Sequence, residues 1–149
     1  MSFKRPVSVL VVIHTADLRV LLLERAARPG FWQSVTGSQA GEESLAETAA
    51  REVGEETGLR IDAGDLDPWG ISNRYEIFAQ WRHRYAPGIT HNTEHVFGLC
   101  LPEAVPVTLA PDEHLASQWL PWRKAARACF SWSNRDAILM LADRLQGDR

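Results

Sequence analysis

Apolar residues come first as a nearly unbroken block. Residues 7–13 are interrupted only by Ser8 and are mostly β-branched, so the run has no polar face. Such a run suits a central strand buried on both sides. His14-Thr15-Ala16-Asp17 breaks it, and residues 19–24 resume it, which predicts a second strand paired with the first as a hairpin. Arg28-Pro29-Gly30 marks a turn. Residues 32–36 read as a short extended segment and residues 37–43 as a loop with two glycines.

The period then changes from two to about 3.6. Leu45, Ala46, Ala49, Ala50 and Val53 fall on one side of a helix that Ser44 begins and Gly58 ends. Ser44-x-x-Glu47 is a capping box, in which each side chain satisfies a free N–H of the first turn. Glycine suits the left-handed stop. Strands are expected over 71–80, 81–85 and 94–101, with a Pro87-Gly88 turn before the last. Pro102, Pro106 and Pro111 punctuate a loop, and 118–120 predict a last short strand. Pro121 begins a helix through 128. A second long helix covers 133–146, with Ala137, Ile138, Leu141 and Leu145 as its apolar stripe. The pattern contains no internal repeat, low-complexity tract or linker. Strands with interspersed helices predict an α/β fold, a mixed sheet covered by helices.

Composition narrows the function classes. A chain of 149 residues is expected to be a single domain, 1–149. With 45% hydrophobic and 23% charged residues it is neither a disordered tail nor a fibre. A formal net charge of −3 disfavours wholesale binding to nucleic acid. The longest apolar run falls far short of the roughly 20 residues of a membrane span, and no small-residue cleavage site closes it as in a signal peptide. A cytoplasmic protein with no membrane partner is expected. Cys100 and Cys129 are too few for a disulfide framework and form no C-x-x-C pair; they read as small buried thiols.

The helix after Gly37 carries the chemistry. With Leu45 at 0° and ~100° per residue, Glu56 lies at ~20°, Glu52 at ~340° and Glu55 at ~280°. Glu52 and Glu56 are an i, i+4 like-charge pair beside the apolar stripe, where a lower dielectric strengthens repulsion. Two readings are open. One is a solvated acidic face braced by the i, i+4 pairs Glu47–Arg51 and Arg51–Glu55. The other is a cation between the carboxylates, and an all-oxygen site suits Mg²⁺ or Mn²⁺ rather than zinc.

Spacing upstream weighs on that choice. Gly37, five residues, Glu43, seven residues, then Arg51-Glu52-Val53-Gly54-Glu55-Glu56-Thr57-Gly58-Leu59 fills every fixed position of G-x5-E-x7-R-E-U-x-E-E-x-G-U, with U a bulky aliphatic. This segment, 37–59, resembles the Nudix box. The resemblance implies an α/β/α sandwich with a mixed sheet, and hydrolysis of a diphosphate linkage with Mg²⁺ held by the helix glutamates. Glu52, Glu55 and Glu56 then become the catalytic carboxylates, and Arg51 braces them by charge-assisted hydrogen bonds. Glu43 supports the loop–helix junction, and Gly37 lets the backbone approach metal or phosphate. One departure stands out. The family usually carries Gly directly before the first box Glu, whereas here Gly41 sits one residue earlier.

The flanks extend the likeness over about residues 4–135. Lys4-Arg5-Pro6, Phe31-Trp32-Gln33-Ser34-Val35-Thr36, Arg82-His83-Arg84-Tyr85-Ala86-Pro87-Gly88, Asn92-Thr93-Glu94, Glu113-His114 and Ser131-Trp132-Ser133-Asn134-Arg135 are similar to the Nudix branch that removes pyrophosphate from dihydroneopterin triphosphate in folate synthesis. By that resemblance Glu52, Glu56 and Glu113 hold the metal. Lys4, Arg25, Thr36, the segment Tyr75-Glu76-Ile77-Phe78 and Ser131 contact the substrate. Lys4 and Arg25 suit polyanionic oxygens. A ring and a carboxylate in the Tyr75 segment suit a pterin edge. Read without the resemblance, these residues are also a terminal lysine, a strand-end arginine, an alternating strand, a loop glutamate and a helix cap.

Arg82 and Arg84 fall on one face if 81–85 is a strand, either holding terminal phosphates or facing solvent. Trp32 and Trp132, among six tryptophans, lie in the family-like segments, as pocket walls or as core. The five histidines show no metal spacing and receive no role. The alternative substrate is a deoxynucleoside triphosphate, dATP or an oxidised one. A ligand sensor that binds without cleaving would have lost box glutamates, and none is missing.

Overall fold

The middle strand, β1 (Val7–Thr15), organises the molecule because neither of its faces meets water. In the computed structural model, which describes residues 3–147, Val9 to Ile13 are at most 1% exposed. Val9, Val11 and Ile13 pack on Ala49 and Val53 of the first helix, α1 (Leu45–Thr57). Leu10 and Val12 point the other way, onto Ala125 and Ala126 of α2 (Trp122–Ala128) and Ala137, Ile138 and Leu141 of α3 (Trp132–Gly147). The two-residue period of one strand thus sorts the chain into an α/β/α sandwich.

The sheet is mixed. β6 (His91–Leu101) runs parallel to β1 along its whole length, and β5 (Asp67–Glu76) lies antiparallel outside it. The other edge of β1 is shared. β4 (Val35–Ser38) pairs antiparallel with Ser8 to Val11, whereas β2 (Arg19–Arg25) touches β1 only where His14 faces Val20. The hairpin expected over 7–24 therefore forms at its turn and then splays. β2 pairs instead with β7 (His114–Pro121) and, at Leu23 and Glu24, with β3 (Trp32–Gln33).

The extended segment expected over 32–36 is two strands with a step at Ser34. Its N–H donates to Asn134 Oδ1 of α3 at 2.8 Å, and the chain crosses there from the β2 side of the sheet to the β1 side. β4 continues through Gly37 and Ser38, which the pattern had placed in a loop. The strand expected at 118–120 grows to eight residues because β2 offers it an edge.

The strand expected over 81–85 does not form. Ala79–Arg84 is a 3₁₀ turn, with the Trp81 N–H donating to Phe78 O at 2.9 Å. Arg82 folds back to pair with Glu76 and donates to Ile77 O. Arg82 and Arg84 therefore do not share a strand face. The turn is tied to the chain's start by Lys4, whose N–H donates to Arg84 O at 2.8 Å.

α1 starts and stops as its sequence predicts. Ser44 Oγ accepts from the Glu47 N–H, Glu47 Oε1 accepts from the Ser44 N–H, and Gly58 ends the helix at φ 75°. No described helix is long and apolar enough to cross a membrane.

Candidate active site

Arg51 organises the exposed side of α1. Its Nε and Nη2 donate to both oxygens of Glu43 at 2.6 and 3.0 Å, and Nη2 also donates to Ser38 O at 3.1 Å. Its Nη1 donates to Glu52 at 2.8 Å and to Glu55 at 3.3 Å. A planar fork satisfies several acceptors in fixed directions, which an ammonium would not. The Arg51 guanidinium holds the Glu43 carboxyl down at about pKa 2. Glu43 also accepts from Thr48 Oγ1 and the Ala40 N–H, so it locks the loop onto the helix.

Behind this brace lie Glu52 and Glu56. Glu52 leans against β4 at Gly37, where an added Cβ would stand only 2.0 Å from the Glu52 carboxyl carbon. Gly37 thus makes room for a carboxylate of its own chain. Glu56 is 2% exposed, and its Oε1 has no hydrogen-bond partner. Burial, then Glu52, then Glu113 push the Glu56 carboxyl well above the usual range, and burial raises Glu52 too. His114 Nε2 approaches Glu56 Oε1 at 3.6 Å. Burial holds the His114 imidazole down at about pKa 4, so at neutral pH it is uncharged and forms no ion pair there.

Two buried carboxylates with a free oxygen suit a hard divalent cation. Among the described residues no three metal-ligating side chains already converge. Hard divalent cations are commonly held by one or two carboxylates, with water and substrate phosphate as the other ligands.

A cleft of about 810 Å³ opens over these carboxylates. Glu52, Glu55 and Glu56 form one wall, and Lys4, Arg25 and Arg84 stand across from them. Glu113 and His114 border the cleft where β7 begins. The pairing of β2 with β7 shifts where Glu24 faces Ala116 and Arg25 faces His114, which leaves Leu115 of β7 as the bulged residue, and bulges commonly re-aim side chains at functional sites. Arg25 Nη1 donates to Gln33 Oε1 at 3.2 Å, and its guanidinium lies 4.6 Å from the centre of the Trp81 ring. Burial and the Arg84 charge lower the pKa of both Lys4 and Arg25. None of the three cations has a salt-bridge partner among the described residues. Unpaired cations facing a carboxylate cluster describe a site for a metal-bound polyphosphate.

Comparison with known proteins agrees with this geometry. Residues 4–141 match the NUDIX domain. The chain belongs to the Nudix family. Dihydroneopterin triphosphate diphosphatase of Escherichia coli is 48% identical over 139 residues, 91% of each chain. The Haemophilus influenzae protein of that name is 43% identical over 93% of this chain and 88% of its own. The solved structure of the E. coli dihydroneopterin triphosphate pyrophosphohydrolase superposes with a TM-score of 0.85 at 47% identity, covering 93% of this chain and 95% of that one.

Within the Nudix fold the residues singled out from sequence separate into two groups. Lys4, Arg25, Thr36, Glu52, Glu55, Glu56 and Glu113 line the cleft, and Tyr75 lines a recess that opens from it. Glu76, Ile77, Phe78 and Ser131 do not line either space. Ser131 Oγ accepts from Asn134 Nδ2 at 2.7 Å, which steadies the start of α3. Trp32 packs in the core on the α2–α3 side and Trp132 is 46% exposed, so neither forms a wall; Trp81 does. Gly41 takes φ 52° in an open turn and changes nothing around Glu43. The sequence reading gave no role to His114, Gln33 or Asn92. Asn92 had a signal: with Glu94 it puts polar side chains on one face of a strand that continues as Val96, Phe97 and Leu99.

Proposed function

We propose that this chain hydrolyses dihydroneopterin triphosphate to the monophosphate and pyrophosphate, with Mg²⁺ as its divalent ion. The observation that carries the reading is the buried, unpaired carboxylate of Glu56 facing three unpaired cations across one cleft. The names and the 43–48% identity of the relatives support the pterin ester as substrate. A bound Mg²⁺ polarises phosphoryl oxygens and lowers the pKa of water. Glu52 and Glu56 would hold it, with Glu113, which lines the same cleft, as a third carboxylate. Arg51 keeps Glu52 aimed. Glu55, the most exposed of the box glutamates, takes the proton of the attacking water. Lys4, Arg25 and Arg84 bind the phosphate oxygens, and Thr36, within 3.4 Å of Gln33 Nε2, orients the chain of phosphates. Tyr75 walls the ring. Glu76, Ile77, Phe78 and Ser131, which line neither space, are given no part in binding.

The test is kcat/KM for dihydroneopterin triphosphate beside dATP and dGTP, with pyrophosphate and orthophosphate measured separately. The pterin ester is expected to be preferred, with pyrophosphate released. Glu52→Gln and Glu56→Gln each lower kcat by roughly a hundredfold or more while the circular dichroism spectrum is unchanged. Faster turnover of a deoxynucleotide would assign the chain to nucleotide-pool hydrolysis, and full activity in both variants would overturn the site.

A further inference from the structure

The three cations also line a recess of about 100 Å³ beside the cleft, which none of Glu52, Glu56 and Glu113 borders. Its walls include the rings of Tyr75, Trp81 and Tyr85, with Ser8 and Asn92 between them. Tyr75 faces Asn92 across β5 and β6, and Ser8 of β1 reaches the same spot. Asn92 is 2% exposed. Its Nδ2 donates to Ser8 Oγ at 2.7 Å and to Tyr75 Oη at 3.0 Å. Both amide hydrogens are therefore used inside the protein, and because the Tyr75 hydroxyl gives its own hydrogen to Glu94, it can only accept from the amide, which keeps Nδ2 turned toward it. Its Oδ1 is left buried with no partner.

Two residues along the same strand face, Glu94 repeats the pattern. It is 2% exposed, Ser133, Asn73 and Tyr75 are its hydrogen-bonding neighbours, and its Oε1 is unpaired. Buried acceptors without donors cost stability and are uncommon in folded proteins. Asn92 borders the aromatic-walled recess, and its orphaned oxygen is explained by a ligand that brings an N–H group; Glu94 does not line that space and bonds the Tyr75 hydroxyl from behind it. Phosphate brings none, so the ligand atoms at this end belong to a flat ring.

We infer that Asn92 is a specificity-determining residue whose Oδ1 accepts an N–H from an amino-bearing heterocycle, while Tyr75 and Glu94 act as positioning residues that keep the amide turned that way. The inference rests on the proposed pyrophosphohydrolase reading and adds what selects the ring. A dihydropterin carries an exocyclic amino group beside a ring N–H, and adenine carries an amino group; uracil carries no amino group.

The test compares kcat/KM for dihydroneopterin triphosphate, dATP and dUTP in the wild type, Asn92→Leu and Asn92→Asp. Leucine removes the acceptor at similar volume, and aspartate keeps an oxygen there. Asn92→Leu is expected to lose roughly tenfold or more on the two amino-bearing substrates, chiefly in KM, and less than about threefold on dUTP. Asn92→Asp is expected to retain most of the preference. Should Asn92→Leu fail to fold, Tyr75→Phe poses the same question, because it frees the amide to turn and is expected to shrink the preference severalfold. Equal losses on all three substrates in Asn92→Leu, or an unchanged preference in Asn92→Leu or Tyr75→Phe, overturn the inference. If the wild type prefers dATP to the pterin ester, the proposed substrate fails while the ratio of dATP to dUTP still decides the role of Asn92.

Discussion

Gly37 shows how one missing side chain sets a metal site. The Glu52 carboxyl occupies the space a Cβ would need, with its carboxyl carbon and oxygen 2.0 and 2.3 Å from that position. Sequence reasoning assigned the glycine to close approach of phosphate; the structure gives the space to the ligand carboxylate itself. Gly37→Ala is therefore expected to push Glu52 off its seat and off Arg51 Nη1. Divalent-ion affinity, read by calorimetric titration with Mn²⁺, should fall by about tenfold or more, and stability by about 1–3 kcal/mol from overpacking. Unchanged affinity would show that Glu52 binds from another position. Of the two i, i+4 braces read from the sequence, Arg51–Glu55 forms, whereas Glu47 caps Ser44 and leaves Arg51 to Glu43 and Glu52. The free oxygen of Glu56 was not legible there, since an orphaned atom exists only once the surrounding chain is in place.

Among elements, α1 was legible to the residue because its signals are local: a cap, a stripe and a glycine stop. β1 was equally clear from its two apolar faces. The 3₁₀ turn at Ala79–Arg84 was hidden because its cause lies outside it, in the Arg82 contacts with Glu76 and Ile77 and in the anchor to Lys4. The step at Ser34 was hidden for the same reason, since its partner lies 100 residues away in α3. That partner makes a prediction at this scale. Asn134 is 3% exposed and ties Ser34 to Ser131. Asn134→Ala leaves a buried N–H without an acceptor, which costs about 1–3 kcal/mol. Urea denaturation should show that loss as a lower midpoint with an unchanged slope; a variant as stable as the wild type would mean that β3 and β4 hold their step without α3.

For the whole molecule, pH and divalent ion act on the same account through different residues. The Glu94 carboxyl is pushed up to about 7 by burial, and Glu56 is raised well above its ordinary 4.5 by burial and by Glu52. In the unfolded chain both ionise near 4.5. Between there and about pH 7 the folded chain retains protons on these two carboxyls that the unfolded chain has lost, so their contribution to stability is full below 4.5 and is lost as pH rises through that window. Glu94 alone accounts for about 3 kcal/mol of the fall. Their contribution to the melting temperature should accordingly fall between about pH 5 and about pH 8, against the opposite contribution of His114, whose imidazole is held at about 4 in the fold and ionises near 6.5 in the unfolded chain. Millimolar Mg²⁺ should recover the part due to Glu56, and Glu94→Gln should remove the part due to Glu94. A pH profile that Glu94→Gln leaves unchanged would show that this carboxyl is not proton-bound in the fold. The alternation along β1 has a longer reach. Ser8 serves the ring recess and Val9, its neighbour, serves the helix that carries the glutamates. Cargo and reaction are written on alternate letters of one strand, so a lineage can exchange its cargo at one set of positions and inherit the reaction at the other. The same interleaving forbids a single inserted residue in β1, because one step of frameshift would swap the two texts.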